Sequence, residues 1–131
     1  MSNLPKFRAW HNFNGFGLKK YTVEKINGTL YFVSGDHRFP FEVPFRDGWA
    51  VEHSTDSKDM NGEEIYEGDI IKCFAKNVDN HEFELMGDVR FEDSEYVILT
   101  NDDNWPCASF TVIRDKKIIG NIHENPELLT K

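Results

Sequence analysis

The sequence predicts a mainly β protein: a small SH3-like barrel in the carboxyl part, an amino-terminal β-hairpin region packed with it, and a short helical turn at the end. Three observations carry the prediction. Asn27-Gly28 separates two arms rich in β-branched and aromatic residues, the strongest short-range hairpin signal. Asn61-Gly62 and Glu67-Gly68-Asp69 are two turn signals followed at once by Ile70-Ile71-Lys72-Cys73-Phe74, a strand with one solvated side. Beyond it four more short strands follow, the first interrupted by Gly87, as a bend that lets one strand serve two sides of a barrel requires.

Taken in order, Phe7-Arg8-Ala9-Trp10 alternates like a strand, and His11 to Gly17 is rich in turn residues. The hairpin arms are residues 22–26 and 29–33. Phe39-Pro40-Phe41-Glu42-Val43-Pro44-Phe45 is an edge or an extended loop, because each proline lacks an amide donor and restricts the residue before it. Trp49-Ala50-Val51 is a short strand, and the polar Ser54-Thr55-Asp56-Ser57 is the join between an amino part, residues 1–53, and a barrel domain, residues 54–131. The barrel strands are Asp69 to Phe74, Phe83 to Phe91, Tyr96 to Thr100, Ser109 to Ile113 and Ile118 to Ile122, the last turn being Asp115-Lys116-Lys117. Ile70, Val89, Ile98, Val112 and Ile119 are the expected shared core. Asn125 suits a helix N-cap, Pro126 the first helical position and Glu127 the positive end of the helix dipole.

The chain has 131 residues, 39% of them apolar and 14% aromatic, with 9 Gly and 5 Pro, a globular composition. No apolar run is long enough to span a bilayer, and the first residues lack the apolar stretch of a signal peptide, so the cytoplasm is the expected compartment. Cys73 and Cys107 fit no Cys-x-x-Cys spacing and are expected to be free thiols. Charge is unevenly divided. Residues 1–50 carry seven Lys or Arg against four Asp or Glu, a net +3, while residues 51–131 carry eight against nineteen, a net −11. The acidic part repels phosphate, so a nucleic-acid partner would have to be met by Lys6, Arg8, Lys19, Lys20 and Lys25.

The stretch Asn61-Gly62-Glu63-Glu64-Ile65-Tyr66-Glu67-Gly68-Asp69-Ile70-Ile71 resembles the hallmark of the YopX-like proteins, small proteins mostly of phages and prophages of Gram-positive bacteria. Lys6-Phe7-Arg8-Ala9-Trp10 and Ile119-Gly120-Asn121-Ile122-His123-Glu124-Asn125-Pro126-Glu127-Leu128-Leu129 match in the expected order, so the resemblance brackets nearly the whole chain. One departure precedes the hallmark: the family pattern reads Thr-Gly-Leu-Lys-Asp, and here Asp56 and Ser57 stand at the Gly and Leu positions. The resemblance implies no reaction, cofactor or catalytic residue. It marks Asn61, Gly62, Ile65, Tyr66, Glu67, Gly68, Asp69, Gly120, Asn121, Asn125 and Pro126 as the hallmark and structural positions.

Catalytic chemistry finds little purchase. Asp59, Glu63, Glu64, Glu67 and Asp69 are oxygen donors for a hard cation in principle, but the spacing is not that of an EF-hand loop, and Glu67 and Asp69 are better read as holding the turn. His11, His37, His53, His81 and His123 are scattered, with no zinc-binding spacing. Ser54, Ser57 and Ser109 lack a nucleophile elbow, and no phosphate-binding or dinucleotide fingerprint occurs. No catalytic, cofactor or metal residue is assigned. The expected role is a non-enzymatic module that binds a protein or assembles with itself, with Phe39, Phe41, Phe45, Trp49 and Leu128 as the candidate partner surface. For the aromatics among them, capping the open end of a sheet is the competing and plainer role. A nucleic-acid-associated small barrel is the alternative function, and an enzyme whose carboxylates converge only in the fold is the third.

Overall fold

A computed structural model describes residues 7–11, 19–40 and 49–129. The Lys6 end of the first motif, the expected turn at residues 12–17, and Phe41 and Phe45 of the expected loop lie outside them. The described chain is mainly β, in two antiparallel sheets, and divides into two units, residues 1–54 and 55–131. The boundary falls inside a strand.

In the first unit, β1 (Phe7–His11), β2 (Lys19–Ile26), β3 (Thr29–Ser34), β4 (His37–Pro40) and the start of β5 (Ala50–Lys58) lie in the order β4-β3-β2-β1-β5. The β2–β3 hairpin turns through Asn27 and Gly28 at φ 49° and 85°, the left-handed pair of a type I′ turn, which matches the twist of the two arms. β4 is the edge strand. Its Pro40 cannot donate to a further strand, the usual reason for proline at an edge.

β1 has two buried faces. Phe7 and Ala9 join Tyr21 and Phe32 in the core of this unit, with Val23, Phe39, Trp49 and Val51 packed against them. Arg8 and Trp10, two residues apart and so on the opposite face, both reach Glu52 of β5, which lies across from Arg8 in the ladder. Arg8 Nε and Trp10 Nε1 each donate to Glu52 Oε1 at 2.9 Å. Arg8 and Glu52 are only 6% and 7% exposed, so each charge depends on the other.

In the second unit, the end of β5 lies beside β6 (Glu64–Tyr66), and a five-stranded sheet follows: β7 (Asp69–Lys76), β8 (Glu82–Glu92), β9 (Glu95–Thr100), β10 (Cys107–Ser109) and β11 (Arg114–Asn121), in the order β10-β9-β8-β7-β11. Its core is Ile65, Ile71, Cys73, Ala75, Leu85, Val89, Ile98, Ala108 and Ile113. Among the described residues no ladder joins β10 to β11, so the hydrogen-bonded sheet is open and does not close into the expected barrel. β8 nevertheless serves two partners: residues 82–88 pair with β7 and residues 87–92 with β9. Neither ladder shifts register at Gly87, so this glycine is no bulge. A Cβ there would meet the Leu99 carbonyl of β9, and close approach of backbone is what excludes a side chain.

Four other expectations are corrected. Ser54 to Ser57, expected to turn, are strand: they continue β5, Ser54 and Thr55 are buried, and Thr55 Oγ1 donates to the Ile65 carbonyl at 2.8 Å. The expected strand Ser109 to Ile113 ends at Ser109, because the Ser109 and Thr111 hydroxyls and the Val112 amide, which donates to the Ser109 carbonyl, close a turn there. Val112 is therefore 53% exposed, and Ile113 takes its place in the core. Asp115, expected to turn the chain, sits at φ 54° within β11 where the register shifts, a bulge in place of a turn. Ile119 is half-buried, outside the buried core set.

The chain closes in a 3-10 turn, Pro126–Leu129, with no buried residue. Asn125 does not cap it with its side chain as expected; Asn125 Oδ1 instead accepts from the Asn121 amide at 3.2 Å, packed where a Cβ on Gly120 would stand. Gly68, between β6 and β7, has φ 86°. Gly68→Val should therefore cost about 2 kcal/mol, while Glu63→Ala, which trims an exposed side chain, should be near neutral. Urea midpoints of the two variants give the ranking, and the reverse order would assign the stretch to its acids instead of its backbone.

Candidate functional site

The hallmark and the carboxyl-terminal motif meet in the second unit. Asp59, 7% exposed, stands at the centre: its Oδ1 accepts from the Asn61 and Glu63 amides at 2.9 Å each, and its Oδ2 from the Ile118 amide at 3.1 Å. Burial pushes its carboxyl up, but the backbone bonds from Ile118, Glu63 and Asn61 and the charge of Lys117 outweigh that, and the net value lies below the ordinary one. The Met60 amide donates to the Lys116 carbonyl at 2.8 Å, so the segment before the hallmark lies along β11.

Asn61-Gly62 turns the chain with Gly62 at φ 85°, Ile65 enters the core, and the Tyr66 amide donates to Asp69 Oδ2 at 2.8 Å across the Glu67-Gly68 turn. Gly68 then ties three segments together. Its amide donates to the Val89 carbonyl and its carbonyl accepts from the Ile122 amide, both at 2.9 Å. Asn121 does the same for the chain end: Oδ1 accepts from the His123 and Glu124 amides, and Nδ2 donates to Glu124 Oε1 at 2.8 Å. The departure from the family pattern has a local solution. Asp56 adopts φ 61°, the left-handed conformation a glycine would supply and an aspartate tolerates.

These contacts define what the polar groups do chemically. Both oxygens of the Asp59 carboxylate are taken by backbone amides, which leaves it poorly placed to act as base or ligand. Among the described residues no group of three or more His, Cys, Asp or Glu stands together as a metal site would require. Cys73 is a buried free thiol that burial pushes up to about 11, and Cys107 is an exposed free thiol raised by burial and by Glu92, Glu95 and Asp93. Neither is an activated nucleophile. No helix among the described residues is long and apolar enough to cross a membrane.

Of the expected partner surface, Phe39 and Trp49 are half-buried against the core of the first unit, in a ring cluster with Tyr21 at 5.4 and 5.2 Å. They cap the sheet. Leu128 is half-buried in the terminal turn. The sequence reading missed a second aromatic group in the other unit: Phe91 packs on Tyr96 at 4.8 Å, and Tyr96 on Phe110 at 6.1 Å. The signal for it was the pair of aromatics flanking Glu92-Asp93-Ser94-Glu95, which a tight hairpin turn must bring face to face.

The family model described as YopX protein matches residues 6–130. Two solved structures are similar along nearly their whole lengths. Protein EF1440 from Enterococcus faecalis has 28% identity and a TM-score of 0.54, covering 98% of this chain and 100% of that one. Protein yopX from Bacillus subtilis has 18% identity and a TM-score of 0.53, covering 95% of this chain and 97% of that one. No curated protein matches the chain. A family model met from the Phe-Arg-Ala-Trp strand to the terminal turn, over residues that hold one another in the structure, makes this chain a member of the YopX protein family.

Proposed function

We propose that this protein is a non-enzymatic module that binds a protein partner or assembles with itself, an accessory protein of phage or prophage origin acting in the bacterial cytoplasm. The observation that carries the reading is that large apolar side chains of the second unit stand in solvent, Phe91 and Val112 each 53% exposed, with Phe91 part of an aromatic row. The engagement of Asp59, Asp69 and Asn121 with backbone amides supports it, since these motif residues work on the chain itself. In this reading the second unit is a small SH3-like barrel without full closure. Support comes from the strand order, with the last strand beside the first and a second strand shared between two partners.

The alternative, a nucleic-acid-associated small barrel, would have to rely on exposed Lys19, Lys20 and Lys25, because Arg8 is buried on Glu52. Sedimentation and gel-shift measurements at about 50 and 200 mM salt separate the two, the range over which counterion release changes affinity most. The expected result is association with protein and no shift of single-stranded DNA or RNA at either salt. A monomer that shifts single-stranded DNA at low salt would overturn the reading.

A further inference from the structure

Phe91 near the end of β8 and Tyr96 near the start of β9 are register partners, one pair in from Glu92 and Glu95, which flank the turn at residues 93–94. The Phe110 amide donates to the Tyr96 carbonyl at 3.0 Å, which sets the third ring beside the second. The result is a row of three rings across the ends of neighbouring strands, tilted at 54° and 44° to one another. Tyr96 and Phe110 are half-buried against the core, while Phe91 is exposed. One cation already rests on the row: Lys116 Nζ lies 5.3 Å from the Phe110 ring centre.

The surroundings are acidic. Glu92, Asp93 and Glu95 are exposed in the turn that joins Phe91 to Tyr96. The charges of Glu67 and Asp56 reach Tyr96 and, after burial, raise its phenol, and those of Glu92, Glu95 and Asp93 reach Cys107 on β10. A ring face is itself the negative side of a quadrupole and attracts a cation, most strongly a guanidinium or ammonium that surrounding carboxylates also attract. Acids alone would not distinguish a partner from counterions, and rings alone would not specify charge. Together they select a side chain that is cationic at its tip and apolar along its stem. Phosphate-bearing strands are disfavoured by the same acids, although bases could stack on the rings.

We propose that the Phe91–Tyr96–Phe110 row, rimmed by Glu92, Asp93 and Glu95, is the docking surface for a lysine- or arginine-bearing segment of a protein partner. The assignment rests on the interaction-module reading and names the chemistry of its partner. The segment lays its aliphatic stems along Phe91 and sets a cation on the face of Phe91 or Tyr96, within reach of the turn acids.

The test is an amide-shift titration of the full chain by NMR with four probes: a ten-residue peptide alternating Lys and Gly, its Arg counterpart, its Glu counterpart, and an oligothymidine of ten nucleotides. The Lys and Arg peptides should move the amides of Phe91, Tyr96 and Phe110, with weaker binding at about 200 mM than at about 50 mM salt. The Glu peptide and the oligothymidine should leave them unmoved. Phe91→Ala should weaken the basic peptides about fivefold while the chain stays folded, as for a ring that gives one cation–π contact at an exposed site. A Glu92→Gln, Glu95→Gln pair should weaken them separately and flatten the salt dependence. Basic peptides that leave the row unmoved, or that bind Phe91→Ala as tightly as the parent, would overturn the assignment. If that happens while sedimentation still shows protein association, only this surface is lost. If the oligothymidine moves the row and the peptides do not, the interaction-module reading falls with it.

Discussion

Asp59→Ala should lower the stability of the second unit by roughly 3–5 kcal/mol, since it leaves three backbone amides without their acceptor at a buried position. The effect is larger than an exposed Asx turn would give, because the Ile118 amide belongs to β11 and the loss also removes one of the bonds that hold that strand to the segment before the hallmark. Protonation should mimic the change. The folded carboxyl titrates below its ordinary value of 3.8, so its contribution is complete above the unfolded value and is lost as pH falls through the folded one. Denaturant midpoints at pH 7 and near pH 3 check both points. The parent should lose stability in acid, and Asp59→Asn, which cannot titrate, should lose less. A parent and variant that fall in parallel, or an Asp59→Ala cost below about 1 kcal/mol, would remove Asp59 from the centre of the motif.

Ile98→Ala should cost about 2–4 kcal/mol and Val112→Ala less than about 0.5 kcal/mol. Ile98 is fully buried among Ile71, Val89 and Ala108, so truncation loses transfer energy and leaves a cavity, whereas Val112 stands in the turn after β10 and already faces water. The pair is a direct comparison, because the alternation of the sequence places both in one core. Urea unfolding of the two variants decides it, and equal shifts in midpoint would return Val112 to the interior.

The elements that were legible are those whose chemistry is local. Asn27-Gly28, Gly62 and Gly68 reach positive φ because asparagine and glycine do so at little cost, and the strands they bound follow directly. What was hidden depends on partners distant in sequence. Ser54 to Ser57 look like a linker, but Thr55 is buried by bonding to Ile65 in the neighbouring strand. Asp115 carries a real left-handed signal, but β11 absorbs it as a bulge, while Ser109 and Thr111 turn the chain with hydroxyls that alternation does not reveal. Among the site residues, the acids near the hallmark were visible as a cluster. That Asp59 adds the Ile118 amide to the two local amides of Asn61 and Glu63 follows from where β11 lies, which spacing alone does not give. The aromatic row escaped for the same reason, since Phe110 joins Phe91 and Tyr96 only through the β9–β10 register.

The Gly68 carbonyl that accepts from Ile122 also sets an order of events during synthesis. The β2–β3 hairpin can close as soon as its second arm leaves the ribosome, for both arms are adjacent in the chain. The hallmark cannot. Its turn emerges midway, yet the groups that complete it, the Lys116 carbonyl and the Ile118 and Ile122 amides, are added on the order of 3–10 s later at typical elongation rates. Until then Asp59 holds only the local amides of Asn61 and Glu63, and β7 has β8 but not β11 for a neighbour. The most recognisable stretch of this sequence is thus among the last to be finished, and a chain cut before residue 116 would carry the signature without the structure that gives it meaning.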